Sequence, residues 1–90
     1  MNKSELVSLM SELNDTSKAE AERSLNMAVE GIIGALGKGH DVNLVGFGSF
    51  VIRKREARDG RNPKTGEQMR IAAYNQPVFR AGKAMKEACN

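Results

Sequence analysis

Seven basic side chains, Arg53, Lys54, Arg55, Arg58, Arg61, Lys64 and Arg70, crowd one stretch of the chain, where Asn62 and Pro63 sit between Gly60 and Gly66. A guanidinium can hold a phosphate through two parallel hydrogen bonds and fits a narrow, electronegative groove. A proline at a hairpin tip is a rigid apolar wedge that can enter a base step. Together these residue types suit a polyanion built of stacked layers. The same residues also read as a solvated basic hairpin in which Pro63 only shapes the turn, and composition alone does not choose between the two.

Catalytic chemistry finds little support. The one histidine is His40, and Ser49 lies in Gly46-Phe47-Gly48-Ser49-Phe50, which is not a nucleophile elbow. A phosphate loop needs a lysine after its last glycine, whereas Glu67 follows Gly66. Gly46-Phe47-Gly48 lacks the third glycine of a dinucleotide fingerprint, because Val51 holds that place. No spacing of His, Cys, Asp and Glu suggests a metal site, so neither a metal nor another cofactor is expected. The single Cys89 cannot form an intrachain disulfide and suits a reducing compartment.

The formal charge of +3 is unevenly spread. Met1 to Phe47 carries four basic residues against seven acidic, a net of −3, while Gly48 to Asn90 carries ten against four, a net of +6. An acidic body with a basic surface is the expected footprint of a nucleic-acid partner. The start of the chain lacks the charged, apolar and cleavage regions of a secretory signal, and no stretch approaches transmembrane length, so no membrane partner and a cytoplasmic location are expected.

The elements that must position these residues follow from periodicity. Asn2 with Glu5 has the form of a capping box, and Leu6, Leu9, Met10 and Leu13 follow at helical spacing. Asn14-Asp15-Thr16 reads as a turn, Ser17 with Glu20 starts a longer helix, and Gly37-Lys38-Gly39 stops it. Gly31 and Gly34 inside that helix suggest close backbone packing. The period then changes to alternation: Val42 and Leu44, a glycine-flanked turn, and Ser49 to Arg55 form a first hairpin.

A second hairpin is predicted from runs at Arg53 to Arg58 and Gln68 to Gln76, joined by a turn over Gly60 to Gly66 and closed by Pro77. With strands of about eight to ten residues at about 3.3 Å each, it reaches on the order of 30 Å. It has almost no apolar content of its own beyond Met69, Ile71 and Tyr74, so it is expected to be mobile until it meets a partner. Arg80 to Ala88 is predicted as a terminal helix, with Lys83 and Lys86 outward and Ala84, Met85 and Ala88 inward. A chain this short with three phenylalanines has too small a core to stand alone, and oligomerisation is the remaining remedy.

The motifs Leu44-Val45-Gly46-Phe47-Gly48-Ser49-Phe50, Gly60-Arg61-Asn62-Pro63-Lys64-Thr65-Gly66, Ile71-Ala72-Ala73 and Phe79-Arg80-Ala81-Gly82-Lys83-Ala84 resemble the HU and integration-host-factor family, and the resemblance runs end to end. It implies an α+β fold, an intertwined dimer with an N-terminal helical hairpin, a three-stranded antiparallel sheet extended into a long β-hairpin arm, and a short C-terminal helix. Residues 1–90 would form one domain, with a body of 1–52 and 76–90 and an arm of about 53–75. Phe47, Phe50 and Phe79 would form the dimer core.

The implied function is architectural and non-enzymatic: low-specificity binding, bending and compaction of double-stranded DNA in the nucleoid, with a preference for kinked or nicked sites. Members of this family are known minor-groove benders, so the wedge mechanism comes from the resemblance and not from composition. On these residues it implies intercalation by Pro63 and DNA contacts from Arg53, Lys54, Arg55, Arg58, Arg61, Asn62, Lys64 and Arg70. Arg80, Lys83, Lys86 and Lys3 would hold flanking DNA. A homodimer is expected, a heterodimer with a paralogue and an integration-host-factor-like sequence preference stay open, and RNA is a secondary partner. Three positions depart from the family's pattern: Tyr74 stands where members often have a small residue, Gln76 where they often have an aliphatic one, and Asn26 where some carry an acid. Tyr74 is read as covering the base of the arm in preference to stacking on a sugar.

Overall fold

The computed structural model describes residues 1–90. Its first unit, residues 1–35, holds α1 (Lys3–Leu13) and nearly all of α2 (Lys18–Gly37). Both expected N-terminal caps form. Asn2 accepts from the Glu5 N–H at 2.9 Å while Glu5 accepts from the Asn2 N–H at 3.4 Å, and Ser17 Oγ accepts from the Glu20 N–H at 3.1 Å. Helix α1 ends in a Schellman turn, with the Thr16 N–H donating to the Ser11 carbonyl and Asp15 in the left-handed region at φ 48°.

Very little of this unit is buried. Val7 and Ala21 are the only buried apolar side chains of the whole chain, and Leu6, Leu9, Leu13, Met27, Val29 and Ile33 are all exposed. The close packing expected at Gly31 and Gly34 is not met within the chain: a β-carbon at either would find nothing within 4 Å. Amphipathic spacing supplies an apolar stripe, but one chain offers no surface to cover it.

The second unit, residues 36–90, is built on antiparallel strands. β1 (Val42–Leu44), β2 (Gly48–Arg55) and β5 (Tyr74–Ala81) make a three-stranded sheet in the order β1-β2-β5, and β3 (Arg58–Arg61) pairs with β4 (Gln68–Ile71). The register is the same on both sides of the gap: Arg55 faces Tyr74 before it and Arg58 faces Ile71 after it. The hairpin arm is therefore a direct continuation of β2 and β5, interrupted at residues 56–57 and 72–73 without a bulge.

Three expected boundaries are corrected. Pro77 does not close its strand but lies inside β5, opposite Ile52. The Ile52 N–H donates to the Asp41 side chain at 3.0 Å, on the β1 side, so the Ile52 and Pro77 pair is not hydrogen-bonded across the ladder and the missing proline N–H faces the free edge. The strand consequently runs on through Arg80 and Ala81, and α3 is shorter than expected, Lys83–Ala88. Gly60 and Arg61 belong to β3 and not to the turn. A β-carbon on Gly60 would stand 2.9 Å from Ile71 Cδ1, so this glycine admits a neighbouring side chain across the ladder.

Helix α3 has no side-chain cap. Its first N–H groups are met by the β1–β2 turn, Gly82 donating to the Phe47 carbonyl at 2.7 Å and Ala84 to the Gly46 carbonyl at 3.1 Å. Of the residues expected to turn inward, Met85 is half-buried, whereas Ala84 and Ala88 are exposed in a single chain because no further layer lies over α3.

Candidate nucleic-acid interface

Alternation along β2 and β5 separates two faces of the sheet. Val42, Leu44, Phe50, Ile52, Pro77 and Phe79 share one, through the pairs Val42 with Phe50, Phe50 with Phe79 and Ile52 with Pro77. Phe79 gathers the aromatics, its ring centroid 4.8 Å from that of Phe50 and 5.7 Å from that of Phe47. Gly48 makes room for this cluster, since a β-carbon there would meet Phe79 Cζ at 2.5 Å. Yet Phe47 remains 48% exposed and Phe79 40%.

The opposite face is basic. Arg53, Arg55 and Arg80 fall on it together with Ser49, Gln76 and Tyr74, and the half-buried Val51 and Val78 pair separates Arg80 from the other two arginines. Lys54 points to the apolar side, so the structure does not group it with its two neighbours. Arg55 Nε donates to Gln76 Oε1 at 2.7 Å, and Arg55, Glu56, Ala57, Arg58, Tyr74 and Gln76 line an open groove at the arm's base. Tyr74 lies in this groove with its side chain exposed.

Beyond the gap, one face of the arm carries Arg58 with Gly60, Met69 and Ile71, and the other Arg61 with Asp59, Gln68 and Arg70. Arg70 is not free: its Nη1 lies 3.1 Å from Asp59 Oδ1. The tip is closed by Asn62, whose N–H donates to the Glu67 carbonyl at 2.8 Å, whose carbonyl accepts from Gly66 at 2.7 Å, and whose Oδ1 accepts from the Lys64 N–H at 2.9 Å. Gly66 turns the chain at φ 73°. Asn62 therefore builds the turn, which leaves Pro63 and Lys64 exposed at its apex.

Lys83 and Lys86 stand exposed on α3, Lys83 with Glu87 at 3.8 Å, and Lys3 lines a groove on the helical unit with Ser4, Val7, Ser8, Lys18 and Glu22. The contact that sequence reasoning missed is Gln76 with Arg55. Only the strand register, which sets these residues diagonally on one face, reveals it. No group of three or more His, Cys, Asp or Glu side chains could hold a metal, and no helix is long and apolar enough to cross a membrane.

A family model described as bacterial DNA-binding protein matches residues 1–90. The chain belongs to the HU family. This is a family of structural DNA-binding proteins and not of enzymes. HU of Rickettsia conorii is 50% identical over 99 aligned positions that span all of both chains, and HU-beta of Serratia marcescens is 51% identical over 90, again covering both fully. Among solved structures, an Anabaena HU–DNA cocrystal structure matches with a TM-score of 0.91 and 49% identity, covering 99% of this chain and 97% of that one. HU from Thermotoga maritima matches at a TM-score of 0.68 and 30% identity over the full length of both. The HU fold, with its helical pair, antiparallel sheet and short C-terminal helix, is what the chain's own elements form.

Proposed function

We propose that this chain is an architectural DNA-binding protein that bends and compacts double-stranded DNA in the nucleoid of the cytoplasm, with low sequence specificity. The observation that carries the reading is the arm: an in-register extension of the sheet whose self-bonded tip presents Pro63, with Arg58, Arg61, Lys64 and Arg70 exposed along it. The likeness to a HU that crystallised with DNA, at a TM-score of 0.91, supports the same partner. Arg53 and Arg55 hold the backbone at the arm's base, Arg80, at the far end of the same sheet face, meets flanking DNA, Arg58, Arg61, Lys64 and Arg70 follow the minor groove, and Pro63 enters a base step. Lys54, Lys3, Lys83 and Lys86 contact phosphates at the margins, and Asn62 serves chiefly by shaping the tip.

The working unit is a homodimer formed from residues 1–90 as one domain. Support comes from burial: with only Val7 and Ala21 buried and the Phe47, Phe50 and Phe79 cluster half-open, a lone chain leaves most of its apolar surface in water. Two arms then embrace one duplex. Sites that are already kinked or nicked bind best, because unstacking them costs least.

A mobility-shift comparison of intact, nicked and four-way-junction DNA, with RNA as competitor, tests the reading. Binding to all three DNAs, tightest on the nicked and branched forms and displaced poorly by RNA, is the expected result. Equal displacement by RNA would replace it with a general polyanion-binding role.

A further inference from the structure

Two arginines, Arg70 on the arm and Arg55 at its base, are held in different ways. Arg70 is met on a terminal nitrogen by a carboxylate, Asp59, at 3.1 Å. Arg55 is met on Nε by a neutral amide oxygen, that of Gln76, at 2.7 Å. The two restraints have opposite electrostatic consequences. A carboxylate orients a guanidinium and also offsets its charge, whereas an amide orients it and leaves the whole charge in place.

The bonded atom matters equally. A guanidinium offers five N–H groups, and bidentate capture of a phosphate uses two that run parallel. Engaging Nε leaves both terminal nitrogens of Arg55 available as an end-on fork. It also removes much of the rotational freedom that a long, solvated side chain would lose on binding. Gln76 sits on β5 opposite Arg53, two pairs inside the last rung of the three-stranded sheet, so its carboxamide is fixed to the body side of the gap at residues 56–57 and 72–73.

We infer that Gln76 is a positioning residue that pre-orients Arg55 as a charged phosphodiester fork at the arm's base. The inference rests on the DNA-binding reading above and deepens it by naming what sets the geometry of one anchor. Arg55 is then the anchored cation next to the gap, and the DNA backbone meets a preformed contact before the arm is engaged. The open groove lined by Arg55, Glu56, Ala57, Arg58, Tyr74 and Gln76 gives a phosphate access to the fork, and Glu56, though in the groove, makes no ion pair with Arg55.

The test is a double-mutant cycle on the full-length protein, measured by fluorescence anisotropy on a random-sequence duplex. Gln76→Val keeps a strand-favouring residue, so the thermal midpoint should be retained. Affinity should fall about two- to tenfold, the range for losing one hydrogen bond's worth of organisation. In an Arg55→Ala background the same change should do nothing. Gln76→Glu should keep Arg55 oriented yet bind more weakly than Gln76→Val at low salt, because it offsets the charge. An unchanged affinity for Gln76→Val, or an equal loss in the Arg55→Ala background, would overturn the inference. In the second case Gln76 would be touching DNA itself. Failure of the parent protein to bind duplex at all would instead remove the DNA-binding reading. A measurement on the parent protein alone guards against misfolded variants: the Arg55 Nε–H should exchange with solvent more slowly than that of Arg53, and equal exchange would also overturn the assignment.

Discussion

Phe50 and Phe79 face each other across the β2–β5 ladder with ring centroids 4.8 Å apart and planes tilted by 47°. Tilted packing of this kind is favourable beyond simple burial, but here it stands at an open surface, since Phe79 is 40% exposed. In the proposed dimer, a second chain would close over it and make the cluster a core. Phe79→Ala should then destabilise by about 3 to 5 kcal/mol, as for a fully buried aromatic. The loss should appear as coupled unfolding and dissociation, with a melting midpoint that depends on protein concentration. Sedimentation equilibrium should detect no folded monomer at micromolar concentration, and a well-packed monomer there would refute the dimer.

The arm should be mobile without DNA and ordered with it. Met69 is 48% exposed, and a two-stranded hairpin of this composition has too little apolar contact to hold itself. Backbone relaxation for residues 58–71 should report low order parameters in the free protein and values near those of the helices on a bound duplex. Rigid free arms would contradict this.

Arg58, Arg61 and Pro63 should fail differently when changed to alanine. Loss of either arginine should weaken binding to all duplexes alike and lower the magnitude of the salt slope by about one unit per lost phosphate contact. Pro63→Ala removes no charge and should leave that slope intact while reducing the bend, read by energy transfer between duplex ends. A Pro63→Ala protein that bends DNA as strongly as the parent reduces Pro63 to a turn residue.

Asp59→Asn should tighten DNA binding and leave stability within about 1 kcal/mol of the parent. The Asp59–Arg70 pair is solvent-exposed, with side chains 71% and 68% accessible, so it contributes little to folding. Its removal releases Arg70 and deletes an anion from the arm. The salt slope should grow in magnitude by up to about one unit. An unchanged slope would mean that Arg70 makes no phosphate contact.

Much of this architecture was legible in the chain because local chemistry decides it. The Asn2–Glu5 and Ser17–Glu20 signals cap α1 and α2 as their spacing requires, and the alternation from Val42 to Arg55 places the first hairpin. Boundaries failed where a tertiary relation outweighed a local preference. Pro77 stays in β5 because its ring nitrogen faces a free edge, and Gly60 stays in β3 because Ile71 needs its missing side chain. Neither fact is visible without the register. The basic residues could be named from composition, but that Lys54 parts from Arg53 and Arg55, that Arg70 is paired, and that Asn62 is spent on the turn all depend on which face each strand presents.

The conserved register across residues 56–57 and 72–73 has a consequence for length. Because the ladder resumes in phase, residues added as matched pairs beyond the gap would prolong the arm without disturbing the body, each pair adding about 3.3 Å of span. Arm length is thus a ruler that can be reset independently of the folded base. A graft of two pairs should move the point at which Pro63 strikes the duplex by roughly two base steps, and the distance between the two kinks in a bound DNA would report the change.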